Sequence, residues 1–324
     1  MTVRRSPQAP FAPDMALEAS PTCPGHRIGG PNGRGSAVVF SSPHSGRIYP
    51  NAFLETVGTD LLDLRRIEDA YLDLLLTDVE ARVAPVICGL IGRSVIDLNR
   101  DEDDMDPAMF SDPRTEWSAS SSIRVQAGLG CLPRIARSGE PIYRRLLLRT
   151  EAEDRISRIH RPYHQALEDL LERARTEFGE AWLIDCHSMP SRTPDGGRAP
   201  DVVIGDLFGR SCGHGLAAHI ETLFRSRGYT TARNVPYAGG YATARHGRPE
   251  LGRHAVQIEL RRGLYLDEEG VEPHEGLNIL RRDLTAIAEL IVSYAEDRLS
   301  PAPRGKRKRP FRKPERPRQG RKRP

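Results

Sequence analysis

Short apolar runs alternate with stretches of helical periodicity between residues 37 and 298, and this alternation constrains the fold more than any other feature of the chain. Pro162 should kink or split one of the helices, and periodicity is lost from 111 to 141, which predicts an irregular insertion. Alternation without an internal repeat predicts one three-layer α/β domain around a mixed, mostly parallel central sheet. Strands are expected at 37–40, 86–88, 95–98, 182–186, 202–204 and 255–260, and helices at 60–82, 151–178, 214–227 and 275–298.

The two ends of the chain differ in composition from this alternating region. Residues 1–30 are rich in Pro, Ala, Gly and Ser and predict a disordered leader that lacks the apolar core of a signal peptide. Residues 301–324 contain 12 basic residues and one acid, which predicts a disordered basic tail. A solvated tail and a tail that binds nucleic acid or another anionic surface both remain open. The folded domain is therefore expected over 31–300.

The cysteines and the length of the apolar runs limit the class of protein. Five cysteines are scattered without a C-x-x-C pair, which is typical of a reduced cytoplasmic protein and excludes a thiolate zinc cluster. Cys186 lies next to a histidine, but its apolar strand context favours a small buried side chain over a nucleophile. Because no apolar run approaches the roughly 20 residues of a membrane helix, no membrane partner is expected.

Several residues capable of chemistry lie at or near the ends of predicted strands. They are His44, Arg100, His187 and Glu259, and ligands of α/β sheets gather beyond the carboxyl ends of strands. Two neutral imidazoles and a carboxylate are what a catalytic zinc ion needs, with one position left for water. By contrast, His160 and His164 lack the H-E-x-x-H context and are expected to be surface or packing residues.

The stretch Asp97-Leu98-Asn99-Arg100 places an amide next to a guanidinium at a predicted strand end. The guanidinium offers a planar, permanently charged fork that matches two carboxylate oxygens, and the amide adds a neutral donor. This pair predicts that a small acidic substrate is held near the metal.

The chain resembles the N-formylglutamate amidohydrolase family in a series of short motifs that occur in the family's order across residues 36–269. They lie at 42–46, 68–71, 95–100, 161–164, 185–188, 236–241, 257–259 and 265–268. The resemblance implies a zinc-carboxypeptidase-like (phosphorylase/hydrolase-like) fold and hydrolysis of N-formyl-L-glutamate to formate and L-glutamate, a step of histidine degradation. Asp-Leu-Asn-Arg is also similar to the substrate-carboxylate motif of aspartoacylases and succinylglutamate desuccinylases.

The resemblance also implies roles for the metal ligands. His44 and His187 would bind one zinc ion together with an acidic ligand, for which Glu68 is expected and Asp69 is the alternative. Adjacent residues on a helix point about 100 degrees apart, so only one of the two can face the site. Arg47 occupies the position at which carboxypeptidases supply the Glu of their His-x-x-Glu pair.

Catalytic and substrate-binding residues follow from the same resemblance. Glu259 is the expected general base, because an acid in an apolar strand is costly to bury without a role, and an ion pair with Arg261 or Arg262 is the alternative. Asn99 and Arg100 would hold one substrate carboxylate. Cations for the second carboxylate are expected from Arg144 and Arg248, with Arg145 and Arg245 as further candidates.

Two other functions remain open from the sequence. The same scaffold could remove a different acyl group from an N-acyl amino acid, since the clamp would hold the amino-acid half in either case. A catalytically idle domain that binds anionic partners through its basic tail is the alternative from another class.

Overall fold

The protein is described from a computed structural model, which covers residues 24–31, 35–119, 122–193 and 195–299. The strands are β1 (His26–Gly29), β2 (Val38–Ser42), β3 (Val86–Gly89), β4 (Ala181–Met189), β5 (Val202–Gly205), β6 (Thr231–Arg233), β7 (Arg253–Arg261), β8 (Leu266–Asp267) and β9 (Glu272–Pro273). The helices are α1 (Asn51–Leu54), α2 (Leu61–Arg65), α3 (Leu72–Leu75), α4 (Thr77–Arg82), α5 (Ile123–Gln126), α6 (Arg149–Arg155), α7 (Arg161–Phe178), α8 (Leu216–Arg225), α9 (Tyr241–His246) and α10 (Gly276–Leu299). A π-helical turn, Ile156–His160, joins α6 to α7, and short 3-10 turns lie at Pro107–Met109, Thr115–Ala119, Pro249–Leu251 and Arg262–Leu264.

Seven strands form one sheet in the order β1-β3-β2-β4-β7-β5-β6. The four central strands β3, β2, β4 and β7 run parallel. β1 pairs antiparallel with β3 and β5 pairs antiparallel with β7, whereas β5 and β6 are parallel to each other. β8 and β9 form a separate small hairpin. The sheet is therefore mixed and mostly parallel, as predicted.

Alternate residues of the central strands face two different layers of helices. Val38, Phe40, Trp182 and Ile184 belong to a large core with α3, α4, α8 and α10. Their neighbours Val39 and Leu183 instead pack on the other face, against α7. Because side chains alternate along a strand, nearly continuous apolar runs serve both faces at once. The predicted three-layer α/β architecture is confirmed.

The expected helix over 60–82 is interrupted. It divides into α2, α3 and α4, and residues 66–71 form an irregular turn between the first two. Tyr71 ends this turn in the left-handed region, with φ 62° and ψ 11°, a conformation that costs an L-residue about 1–2 kcal/mol. The strand expected at 95–98 is also absent, since that segment forms turns.

The long helical segment around Pro162 changes its winding. α6 leads into the π-helical turn, and α7 begins next to Pro162, which lies in its first turn. The wider turn accommodates the missing proline N–H and the bulk of its ring.

The predicted leader is partly corrected. Residues 1–23 and the basic tail lie outside the described residues, but His26–Gly29 pair with β3 as an edge strand of the sheet. This strand was not expected, because four residues flanked by glycines carry little periodicity. Within the described part of the chain, no helix combines the length and apolarity needed to cross a membrane. Cys186 is a free, buried thiol, as expected for a packing residue.

Candidate metal and substrate site

The carboxyl ends of β2, β4 and β7 converge on one edge of the sheet. His44 lies two residues beyond β2, whereas His187 is in β4 and pairs in register with Glu259 of β7. Asp69 reaches the same edge from the irregular turn after α2, where its backbone N–H donates to the His44 carbonyl at 3.0 Å. Three separate segments therefore bring polar side chains to the place where open α/β sheets bind ligands.

His44, Asp69 and His187 form a group that could hold a metal ion. One ligand atom from each lies within 4.8 Å of the other two, and all three residues are buried. Asp69 Oδ2 lies 3.3 Å from His44 Nδ1 and 3.0 Å from His187 Nδ1. Two imidazole nitrogens and a carboxylate suit a catalytic zinc site, in which a fourth position stays open.

A carboxylate stands behind each histidine and selects its tautomer. His44 Nε2 lies 2.7 Å from Asp97 Oδ1, and His187 Nε2 lies 2.9 Å from Asp185 Oδ2. A metal ion would need Nε2 protonated in both rings and a lone pair on each Nδ1, beside Asp69. His44 Nδ1 is buried without a hydrogen-bond partner among the described residues, as a nitrogen reserved for a cation would be. The donor set therefore fits a divalent metal ion, with the second carboxylates in the usual orienting role.

Asp69 has its own supporting contacts. Its Oδ1 lies 3.2 Å from the Ser188 hydroxyl and 3.3 Å from Arg262 Nη2. Burial alone would raise the pKa of Asp69, but its contacts with His187 and His44 hold that pKa well below the usual range. Asp69 is thus a buried anion whose second oxygen faces the two histidines.

Glu68, which was expected to be the acidic ligand, lies elsewhere. Its carboxylate accepts a hydrogen bond from the Tyr49 hydroxyl and lies 3.5 Å from Arg65 Nε. Burial raises the pKa of Glu68 to about 7, so that this group is much less anionic than Asp69. The irregular turn rotates the two neighbouring side chains apart, and the structure replaces Glu68 with Asp69 in the candidate ligand set.

Glu259, the expected general base, is buried beside His187. Its Oε1 accepts a hydrogen bond of 2.6 Å from Gln257 Nε2, which shares its face of β7. Burial raises the pKa of Glu259 to about 7, against the lowering effect of His187. Arg261 pairs with Asp201 and Arg262 with Asp69, so neither of the alternative ion pairs forms.

Asn99 and Arg100 both line the cavity next to the histidines. Asn99 Oδ1 accepts a hydrogen bond of 2.9 Å from the Ala242 N–H, so its NH₂ group faces the site, with Nδ2 at 3.2 Å from His187 Nε2. Gly240 permits this approach, since a Cβ atom there would lie 2.2 Å from Asn99 Nδ2. Arg100 donates through Nε to the Leu129 carbonyl and through Nη1 to the Asn99 carbonyl, which fixes its guanidinium in the wall.

The cavity has a volume of about 260 Å³ and a strongly cationic wall. Six arginines line it, and only Asp69, Asp97 and Glu259 oppose them among its lining residues. The arginines are Arg66, Arg93, Arg100, Arg124, Arg137 and Arg262. An excess of positive charge of this kind favours a substrate that carries more than one negative charge.

The cations expected for a second carboxylate are not those that reach the cavity. Arg144 and Arg248 are exposed and are not among the residues that line its wall. Arg124 and Arg137 line it instead, from the insertion whose course the sequence did not predict. Neither makes an ion pair with any acid in the described parts of the chain, which leaves both guanidinium groups available to a ligand.

The carboxylates behind the histidines, Asp97 and Asp185, were not expected from the sequence. Asp185 precedes His187 by two residues on one strand, a spacing that places both side chains on the same face. This spacing could have predicted the contact between them. The contact of Asp97 with His44 spans 53 residues and had no local signal. The contact of Arg93 with Asp97 also had no local signal. Arg93 Nε donates to Asp97 Oδ2 at 2.9 Å because the segment 93–97 forms a turn rather than the expected strand.

Comparisons with known proteins find one matching family model and several similar proteins. Residues 36–266 match the family model described as N-formylglutamate amidohydrolase. An N-formylglutamate deformylase of Pseudomonas aeruginosa is 32% identical over 241 residues, which cover 72% of this chain and 83% of that protein. A second, from Pseudomonas putida, is 30% identical and covers 71% and 82%. The crystal structure of an N-formylglutamate amidohydrolase from Ralstonia eutropha JMP134 has a TM-score of 0.77 and 34% identity, covering 85% of this chain and 99% of that one.

Proposed function

The chain belongs to the N-formylglutamate amidohydrolase family, and we propose that it hydrolyses the formamide bond of N-formyl-L-glutamate to give formate and L-glutamate. The observation that carries this proposal is the buried group His44, Asp69 and His187, which lies beside an acid of raised pKa in a cationic cavity. We assign the reaction to this cavity, within the domain expected over 31–300.

We propose that His44, Asp69 and His187 hold one divalent metal ion, and that this ion is zinc. Imidazole nitrogen together with carboxylate oxygen is a ligand set that zinc accepts readily. When bound, the ion would polarise the formyl carbonyl and acidify water at the site. Asp97 and Asp185 keep the two imidazoles in the tautomer that this requires.

Glu259 is assigned the proton transfers. A carboxylate with a pKa of about 7 can accept a proton from the attacking water and return it to the departing amine near neutral pH. The carbon–nitrogen bond then breaks, the formyl group leaves as formate, and the amino group of glutamate takes the proton. Gln257 holds one oxygen of Glu259, which keeps the carboxyl group directed along the edge of the sheet.

The pH dependence of turnover follows from this assignment. Glu259 must be ionised to act as the base, so kcat/KM is expected to fall as pH drops through about 7 and to level off above it. An unperturbed glutamate would place this limb near its ordinary value of 4.5. A pH profile of formate release checks the position of the limb, and the residual rate of a Glu259→Gln variant should lack it.

Substrate recognition is assigned to two groups of donors. Asn99 and Arg100 hold one carboxylate, and Arg124 and Arg137, rather than Arg144 and Arg248, hold the other. A guanidinium without an acidic partner loses less on binding a ligand than one that must first break an ion pair.

Replacing Arg124 and Arg137 with Gln, singly and together, should therefore reduce selectivity for the dianionic substrate. A hydrogen bond to a charged group contributes about 1.5–3 kcal/mol, so each change is expected to lower kcat/KM on N-formylglutamate by about 10-fold or more. Turnover of N-formylglutamine, which lacks the second carboxylate, should change little. Arg144→Gln is the matched control, an exposed arginine outside the cavity. Equal losses on both substrates would contradict the assignment.

Formate release from N-formyl-L-glutamate by the zinc-loaded protein is the primary test of the function. N-Acetyl and N-succinyl analogues, run in parallel, separate a deformylase from a deacylase with another acyl preference. A preference for the acetyl or succinyl analogue would mean that the enzyme is a deacylase for that acyl group rather than a deformylase. Absence of turnover on all three substrates would refute the proposed enzyme activity.

A further inference from the structure

Two buried histidines of the long helix bind the backbone on either side of Asn99. His164 Nε2 lies 2.9 Å from the Leu98 carbonyl oxygen, and His160 Nε2 lies 2.9 Å from the Arg100 carbonyl oxygen. The Asn99 carbonyl between them accepts from Arg100 Nη1 at 2.8 Å. The three successive carbonyls of residues 98–100 therefore each accept a hydrogen bond from a side chain.

These contacts matter because the segment is not part of the sheet. In a strand at 95–98 the carbonyls would accept hydrogen bonds from neighbouring strands. In the observed turns they need other hydrogen-bond donors. Buried carbonyls without a donor cost about 1–3 kcal/mol each. The histidines thus hold in place a segment that carries two substrate-binding side chains and makes no β-sheet hydrogen bonds.

The two histidines are themselves fixed from several sides. Both are 1% exposed, and their rings lie 4.6 Å apart between centroids. His160 ends the π-helical turn. His164 Nδ1 lies 3.3 Å from Nε2 of His246, and the other ring nitrogen of His246, Nδ1, contacts Glu168. Tyr241 packs against both rings. Burial lowers the pKa of each histidine, which favours the neutral ring with a single N–H. In both rings this N–H is at Nε2 and donates to the backbone carbonyl.

From this geometry we infer that His160 and His164 are positioning residues that hold Asn99 and Arg100 in register for a substrate carboxylate. The inference rests on the proposed function for its substrate, and it adds residues that contact neither substrate nor metal ligands. The inference differs from the expectation that His160 and His164 are only surface or packing residues. A packing role needs the volume of the rings, whereas the inferred role needs the Nε2 donor.

The test separates volume from donor. His160→Met and His164→Met keep a buried side chain of comparable length but remove the donor, and His160→Gln and His164→Gln supply an amide N–H near the position of Nε2. The Met variants are expected to raise KM for N-formylglutamate about 10-fold, with kcat within about twofold and zinc content unchanged. The Gln variants should recover most of the lost affinity. His219→Met, on α8 and stacked on Tyr294, is the matched control for loss of a helical histidine.

Binding of L-glutamate, measured by calorimetry, provides a readout that does not depend on turnover. The Met variants should bind it about 10-fold more weakly than the wild type, and the Gln variants should bind it nearly as well as the wild type. Failure of the wild type to hydrolyse N-formylglutamate would refute the proposed function but leave this comparison readable. Unchanged affinity in the Met variants, equal loss in the Met and Gln variants, or no binding of L-glutamate by the wild type would overturn the inference.

Discussion

Asp69→Asn is expected to lose the bound metal ion and, with it, nearly all turnover of N-formylglutamate. The substitution keeps the size of the side chain but removes the negative charge that lies 3.3 Å and 3.0 Å from the two histidine Nδ1 atoms. Removing one partner from a buried charged group costs about 3–5 kcal/mol, which corresponds to a loss of metal affinity of roughly 10²- to 10⁴-fold. Metal content after dialysis against a weak chelator and the rate of formate release measure the two effects.

Glu68→Gln is the matched control, because it makes the same chemical change at the adjacent residue. Glu68 contacts Tyr49 and Arg65, so its amide should leave the metal content unchanged. Loss of metal in Glu68→Gln with retention in Asp69→Asn would restore Glu68 as the ligand and refute the assignment of Asp69. Equal retention of metal in both variants would place the ion outside the group formed with His44 and His187.

Glu259→Gln is expected to retain the metal ion but lose catalytic rate. The amide preserves the shape of the side chain, but it cannot accept and return a proton. General base catalysis contributes about 10²- to 10⁴-fold, so kcat should fall by that factor while KM changes by only a few fold. Single-turnover rates and metal content, measured on the same preparation, separate loss of chemistry from loss of the ion.

Glu250→Gln is a suitable control for this second variant. Glu250 is exposed in the 3-10 turn that precedes β7, at the opposite end of that strand from the site. Its substitution should leave kcat unchanged. Near-normal turnover by Glu259→Gln would show that another group moves the proton, and loss of metal in that variant would assign Glu259 to the ligand set instead.

The parts of the site that were predictable have strong local signals. His44, His187 and Glu259 follow or end apolar strands, and the carboxyl ends of parallel strands meet at one edge of a sheet wherever such a sheet forms. The motifs carry the family resemblance, which is now confirmed by the match over residues 36–266. Asn99 and Arg100 also reach the cavity as expected, although they lie on a turn rather than at the end of a strand.

The predicted site residues that do not line the cavity are ones whose placement depends on the path of irregular backbone. Arg124 and Arg137 replace Arg144 and Arg248 in the cavity wall because the insertion folds over the site, and its path follows from contacts with distant residues. Asp69 replaces Glu68 because the predicted long helix breaks at a turn that ends in left-handed Tyr71. Helical periodicity extends across that turn and gives no sign of the break.

The sequence by itself determined the α/β architecture, the edge of the sheet at which the site lies, and the family. These properties depend on periodicity and on short motifs, both of which are local. Only the tertiary structure decided which acid faces His44 and His187, which arginines line the cavity, and that His160 and His164 hold the Asn99–Arg100 backbone. Those choices depend on contacts between residues that are distant in sequence, and the two histidine contacts span 60 or more residues. No local sequence pattern encodes such pairings.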